Sequence, residues 1–161
     1  MQEIKKVLTP IDFSDNAAKL AAGAAYVAGT FSAELHLVFV AQNFEDYSGF
    51  FVPPVNLPNL EAELLESAKE RMVDFCAENK AVFETYGVES VSSAVLSGDV
   101  AEEILAYAVE KGIELIVMGT HGYKGFERIM FGSVAEKVVK AACCPVMTIN
   151  PYKSECEEKQ K

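Results

Sequence analysis

The most constraining feature of this chain is a regular alternation of two hydrophobic periods. Short apolar, β-branched runs read as strands: KKVLTPI (Lys5–Ile11), ELHLVFVA (Glu34–Ala41), VESVSSAVL (Val88–Leu96), IELIVMG (Ile113–Gly119) and CPVMTINP (Cys144–Pro151). Between them, DFSDNAAKLAAGAAYVAGTF, LEAELLESAKERMVDFCAENKAVFETYG, GDVAEEILAYAVEKG and SVAEKVVKAA read as helices. Strand–helix repetition of this kind predicts an α/β fold, an open five-stranded parallel sheet with helices on both faces, because right-handed crossovers lay each helix back on the sheet.

Local chemistry supports the boundaries. Ser14 or Asp15 can cap the first helix by accepting an orphan backbone N–H. The small residues Ala17, Ala18, Ala21, Ala22, Gly23 and Ala25 would let that helix lie close to the sheet. In the second helix, Leu64, Leu65, Ala68, Met72, Phe75 and Cys76 recur at helical spacing, and Gly87 suits its C′ position. Asp99 opens the third helix and Gly112 closes it. The segment from Gln42 to Asn59 carries three prolines and no period, so it is expected to be a loop or lid. Residues 1–151 form one domain on this reading, and YKSECEEKQK (152–161) is a charged tail.

The net charge of −10 argues against nucleic acid and anionic membrane surfaces as partners, since both demand basic faces. The stretch Leu20–Ala33 is too short and alanine-rich to span a bilayer, and the N-terminus lacks a signal-peptide layout. The four cysteines (Cys76, Cys143, Cys144, Cys156) have no metal spacing and read as reduced thiols of a cytoplasmic protein, with Cys143 or Cys144 packing rather than reactive. His36 and His121 have no partner at metal or triad spacing.

Against this bland background, GTHGYKGFERIMFGS (Gly119–Ser133) stands out. It leaves the fourth strand and runs into the fourth helix. Gly119 and Gly122 can turn the chain tightly, because glycine permits positive φ and lacks a Cβ that would block a ligand. Gly132 and Ser133 fall where a helix presents unpaired amides and the positive end of its dipole. With Lys124 and Arg128 against Glu127, the loop is locally basic, as an anion site would require. In open α/β sheets ligands bind at the carboxyl ends of the strands where the strand order reverses. Should the first and fourth strands be neighbours there, Asp12 and the glycine loop line one crevice. P-loop and dinucleotide fingerprints are absent.

The spacing G-x2-G-x9-G-S, set at Gly119, Gly122, Gly132 and Ser133, resembles the nucleotide-binding loop of the universal stress protein family, as do TPIDFS, VMGTHG, GSVAEKVV and CPVMTIN. That resemblance covers nearly the whole chain and implies a Rossmann-like sheet of order 3-2-1-4-5 binding ATP, with or without Mg²⁺. It implies that Asp12 contacts adenine or ribose with Pro10 and Ile11 nearby, and that Val40 offers its backbone to the adenine edge. Met118 and Gly119 would flank ribose and phosphates; Gly122, Gly132, Ser133 and Val134 would hold the phosphates, with Lys124 beside them. It also implies a homodimer paired through fifth strands, and an unidentified protein partner. Phe39 and Tyr123-Lys124 depart from residues frequent in the family.

Each feature has an ordinary alternative. Asp12 could cap the first helix with Ser14, the glycines could serve turns, and the basic residues could be a solvated face. An ATP-binding regulatory protein with little turnover, slow hydrolysis or self-phosphorylation at Ser133 included, is the expectation that uses all of them. A nucleotide-independent interaction module and a weak ATPase or nucleotidyl-transfer enzyme are the rivals.

Overall fold

A computed structural model describes residues 3–42, 57–120 and 132–151. Its elements are β1 (Lys6–Pro10), α1 (Ala17–Thr30), β2 (Glu34–Ala41), α2 (Leu57–Thr85), β3 (Val91–Ser97), α3 (Val100–Lys111), β4 (Leu115–Gly119), α4 (Ser133–Ala141) and β5 (Val146–Ile149). The five strands form one parallel sheet ordered β3-β2-β1-β4-β5.

Alternate residues of the inner strands feed two cores. Val7, Leu35, Leu37, Leu115 and Val117 face α1 and α2, while Leu8, Val38, Val40, Ile116 and Met118 face α3 and α4. Burial on both faces explains why these strands are nearly continuous runs of apolar residues. β3, at an edge, is exposed at Val91, Ser93 and Ser97 and half-buried at Ser92 and over Ala94–Leu96. The small face of α1 comprises Ala17, Ala21, Ala24, Ala25 and Ala28 together with Leu20; Ala18 points to solvent instead, and Ala22 is only half-buried. On α2 the buried stripe is Ala68, Met72, Asn79 and Phe83, flanked by half-buried Phe75 and Cys76, whereas Leu64 is exposed.

Two strands begin later than their composition suggests, for one reason. At the end of α2, Gly87 sits at φ 79°, its N–H bonds Glu84 O and the Val88 N–H bonds Phe83 O. At the end of α3, Gly112 sits at φ 64°, its N–H bonds Val109 O and the Ile113 N–H bonds Ala108 O. Both are Schellman caps, in which the apolar residue after the glycine tucks back onto the helix. Val88 and Ile113 are buried by that tuck, so they complete helices rather than start strands.

The loop expected over Gln42–Asn59 ends sooner, since α2 begins at Leu57. Pro58 fits there because a first-turn residue has no intrahelical use for an N–H. The remainder of that segment, from 43 to 56, and the charged tail lie outside the described residues.

Candidate functional site

β1 and β4 are neighbours, with Val7 opposite Leu115 and Leu8 opposite Ile116. The chain winds away from β1 toward β2 and β3 on one side and toward β4 and β5 on the other, so the strand order reverses at this pair. That is where a doubly wound sheet leaves a crevice at the carboxyl ends of its strands.

Pro10 ends β1 opposite Val38, and the Ile11 N–H donates to Val38 O at 2.8 Å. Asp12 follows, half-buried, with its Oδ1 accepting the Ser14 N–H at 3.0 Å. The expected helix cap is corrected here. The N-cap of α1 is Asn16, in helical conformation and making no side-chain cap bond, and Ser14 contributes its carbonyl to the Ala17 N–H at 2.9 Å. Asp12 closes a local turn that leads into the helix, because its carboxylate takes the Ser14 amide before the helix begins.

Val40, near the end of β2, and Met118, near the end of β4, are buried on the α3/α4 side with Ala135 of α4. Gly119 lies opposite Ile149, and the next amide, Thr120 N–H, donates to Ile149 O at 3.0 Å. The Gly132 N–H then donates to Thr120 O at 2.8 Å. One main-chain bond therefore ties the end of β4 to the start of α4. Gly122 and Lys124, with His121, Tyr123, Glu127 and Arg128, lie outside the described residues.

Gly132 is the N-cap of α4, at φ −57° and ψ 150° with no side-chain cap bond. Any residue can adopt that backbone, so positive φ is not what this position asks of glycine; the bare α-carbon is the property left to explain it. Ser133 and Val134 open the helix, whose first internal bond runs from Glu136 N–H to Gly132 O at 3.0 Å. The earlier amides and the helix dipole make this end an anion acceptor.

The neighbouring helix start is capped differently. Asp99 accepts the Glu102 N–H at 3.1 Å, and its Oδ2 lies 3.6 Å from Lys137 Nζ. The Glu102 amide, aided by Lys137, holds the Asp99 carboxyl below the usual range. Lys137 stands one helical turn beyond Ser133, so it brings a cation to the face of α4 that carries Ser133. Its position four residues after Ser133 was the available sequence signal.

Of the two histidines, His36 belongs elsewhere. His36 lies near the start of β2, buried, with Nδ1 3.0 Å from the Tyr107 hydroxyl and Nε2 3.4 Å from Glu34 Oε1. Burial pushes its pKa down. Cys144 packs half-buried on the α3/α4 side and Cys143 is exposed; burial pushes the thiols of Cys144 and Cys76 up, away from nucleophilic character. Among the described residues no three His, Cys, Asp or Glu side chains gather at metal-binding distance, and no helix is long and apolar enough to cross a membrane.

Comparison with known proteins agrees with this architecture. The sequence profile of the universal stress protein family matches residues 3–150. Universal stress protein MJ0531 of Methanocaldococcus jannaschii is 38% identical over 152 residues, which is 94% of this chain and 85% of that protein. The structure of universal stress protein UspA from Lactobacillus plantarum superimposes with a TM-score of 0.77 at 24% identity, covering 93% of this chain and all (100%) of the other. A universal stress protein from Archaeoglobus fulgidus, solved in complex with dAMP, shares the fold with a TM-score of 0.62 at 21% identity, covering 92% of this chain and 100% of that one.

Proposed function

This chain belongs to the universal stress protein family, and from that footing we propose that it is an ATP-binding regulatory protein of the stress response with little or no turnover. The observation that carries the reading is the Gly132–Thr120 main-chain bond. It sets the amide end of α4 beside the carboxyl end of β4, next to the strand that delivers Asp12. In this reading the amides of Ser133 and Val134 and the Ser133 hydroxyl hold phosphate, and Gly122 and Lys124 complete the cradle. Asp12 contacts ribose or adenine, with the Pro10–Ile11 and Val40 backbones and Met118 around the nucleoside. The dAMP complex of the Archaeoglobus fulgidus protein supports an adenine nucleotide as the ligand class.

Little turnover is expected because the site as read supplies donors and a dipole, with Glu127 the one carboxylate in the Gly119–Ser133 sequence. The second element of the proposal is a homodimer. Among the described residues β5 pairs only with β4, it is four residues long, and Met147 on it is 43% exposed, which leaves an edge that a second copy would cover.

The test is calorimetric titration of ATP, with and without Mg²⁺, into nucleotide-free protein and into Gly132→Val. The branched side chain would stand where phosphate must approach the backbone. Roughly micromolar binding, lost in the variant, is the expected result. Folded, nucleotide-free protein that binds no ATP would hand the case to the interaction-module reading.

A further inference from the structure

Phe13 is the residue between Asp12 and Ser14, and its backbone is left-handed, at φ 56°. A bulky side chain seldom occupies that region unless its surroundings impose it, and such outliers gather at ligand sites. Here the surroundings are visible. The Phe13 ring lies 4.7 Å from the ring of Phe39 on β2 and 6.0 Å, edge-on, from that of Phe75 on α2. The Arg71 guanidinium, also on α2, stands 4.8 Å from the Phe13 ring centre. Three contacts from two elements therefore hold one half-buried side chain against the core under α1 and α2.

The consequence falls on Asp12. With residue 13 left-handed, the chain reverses so that the Ser14 N–H comes back to Asp12 Oδ1 at 3.0 Å. An extended residue 13 would carry Ser14 away and free the carboxylate to rotate. We propose that Phe13 is a positioning residue for the nucleotide site: the Phe39–Phe75–Arg71 clamp on its ring holds the turn that fixes the Asp12 carboxylate. This rests on the nucleotide reading for its purpose, and it adds a link from α2 to the site through Arg71 and Phe75. Phe39, a departure from the family pattern, packs on the α1/α2 side of the sheet as part of this clamp.

Two readouts test it. Hydrogen exchange of the Ser14 amide, followed by NMR in nucleotide-free protein, reports the turn directly. Phe13→Gly keeps the left-handed conformation accessible but removes the ring, and Phe39→Leu loosens the clamp without altering residue 13. Both should speed Ser14 exchange about tenfold or more while the β1–β2 ladder amides stay protected. Unchanged Ser14 exchange in both variants overturns the proposal. The second readout is ATP affinity in a cycle with Asp12→Ala. Phe13→Gly should weaken binding roughly five- to tenfold in the parent and have no further effect once Asp12 is alanine. Additive losses would mean Phe13 does not act through Asp12, and an Asp12→Ala protein that binds as the parent does would overturn the positioning role. If the parent binds no adenine nucleotide, the proposed function fails by itself, and Ser14 exchange still decides whether the clamp holds Asp12.

Discussion

Gly29 of α1 and Tyr86, just past the end of α2, meet main chain to main chain. A Cβ built on Gly29 would stand 1.8 Å from the Tyr86 carbonyl oxygen. The two helices can touch this closely only because the glycine has no side chain, and Tyr26 and Tyr86 close over the contact with rings 5.8 Å apart.

Gly29→Ala should therefore destabilise strongly, by about 3 kcal/mol or more, because the obstacle is backbone and cannot step aside. Gly23→Ala, in the same helix, is the control. Among the described residues its new Cβ would meet only the Ile149 Cδ1 atom at 2.8 Å, the free end of a flexible side chain. The gain in helix propensity, about 1 kcal/mol, should roughly offset that contact. Urea denaturation of both variants checks the contrast, and comparable losses would refute it.

The readable and unreadable parts of this fold divide along similar lines. Hydrophobic period located the nine elements of the described residues, and the glycines at 87 and 112 marked two helix ends because only the left-handed cap explains them there. Whatever tertiary contact decides stayed hidden. Ser32, at φ 52°, ends α1 in the conformation that glycine usually fills, while Gly29 sits inside the helix for the sake of Tyr86. Phe13 is left-handed through its ring neighbours, which sequence spacing does not bring together. The candidate site divides likewise: the glycine spacing and the family resemblance singled out Asp12, Gly119 and Gly132–Ser133 as candidates, yet the adjacency of β1 and β4 follows from topology. The Asp99–Lys137 pair joins two helices and had no pattern to announce it.

Acid should weaken the protein through His36. Burial holds its folded pKa below the ordinary 6.5, against the pull of Glu34 and with help from Lys6 and Lys111. The unfolded chain thus takes up a proton on this residue before the folded one does, and stability falls as pH drops below 6.5 toward the folded value. Glu34, held low chiefly by the Ser92 hydroxyl, adds a further loss below 4.5 as it is protonated in turn. Denaturation at pH 7.5 and 5.5 should show a smaller pH effect in His36→Asn, which keeps a polar atom toward Tyr107. Equal pH effects in parent and variant would rule His36 out as the source.

The proposed dimer gives a separate prediction. Ile116 N–H bonds Pro145 O and Thr120 N–H bonds Ile149 O, so odd-numbered β5 residues face β4 and Thr148 points its N–H outward. Thr148→Pro removes that outward donor while sparing the ladder to β4, the placement in which sheets tolerate proline. Sedimentation should find the parent dimeric and the variant monomeric, with ATP affinity kept. A variant that remains dimeric would place the interface elsewhere.

The bond from Gly132 to Thr120 also bears on how this scaffold could diversify. It pins Thr120 and Gly132, and with them the end of β4 and the start of α4, at a single gate on the sheet. Once such a gate is closed, each doubling of the intervening length costs only about 0.6 kcal/mol of chain entropy. A chain that enters and leaves at such a gate can be lengthened at small cost to folding, which makes the gate a natural graft point for new ligand chemistry on an unchanged sheet.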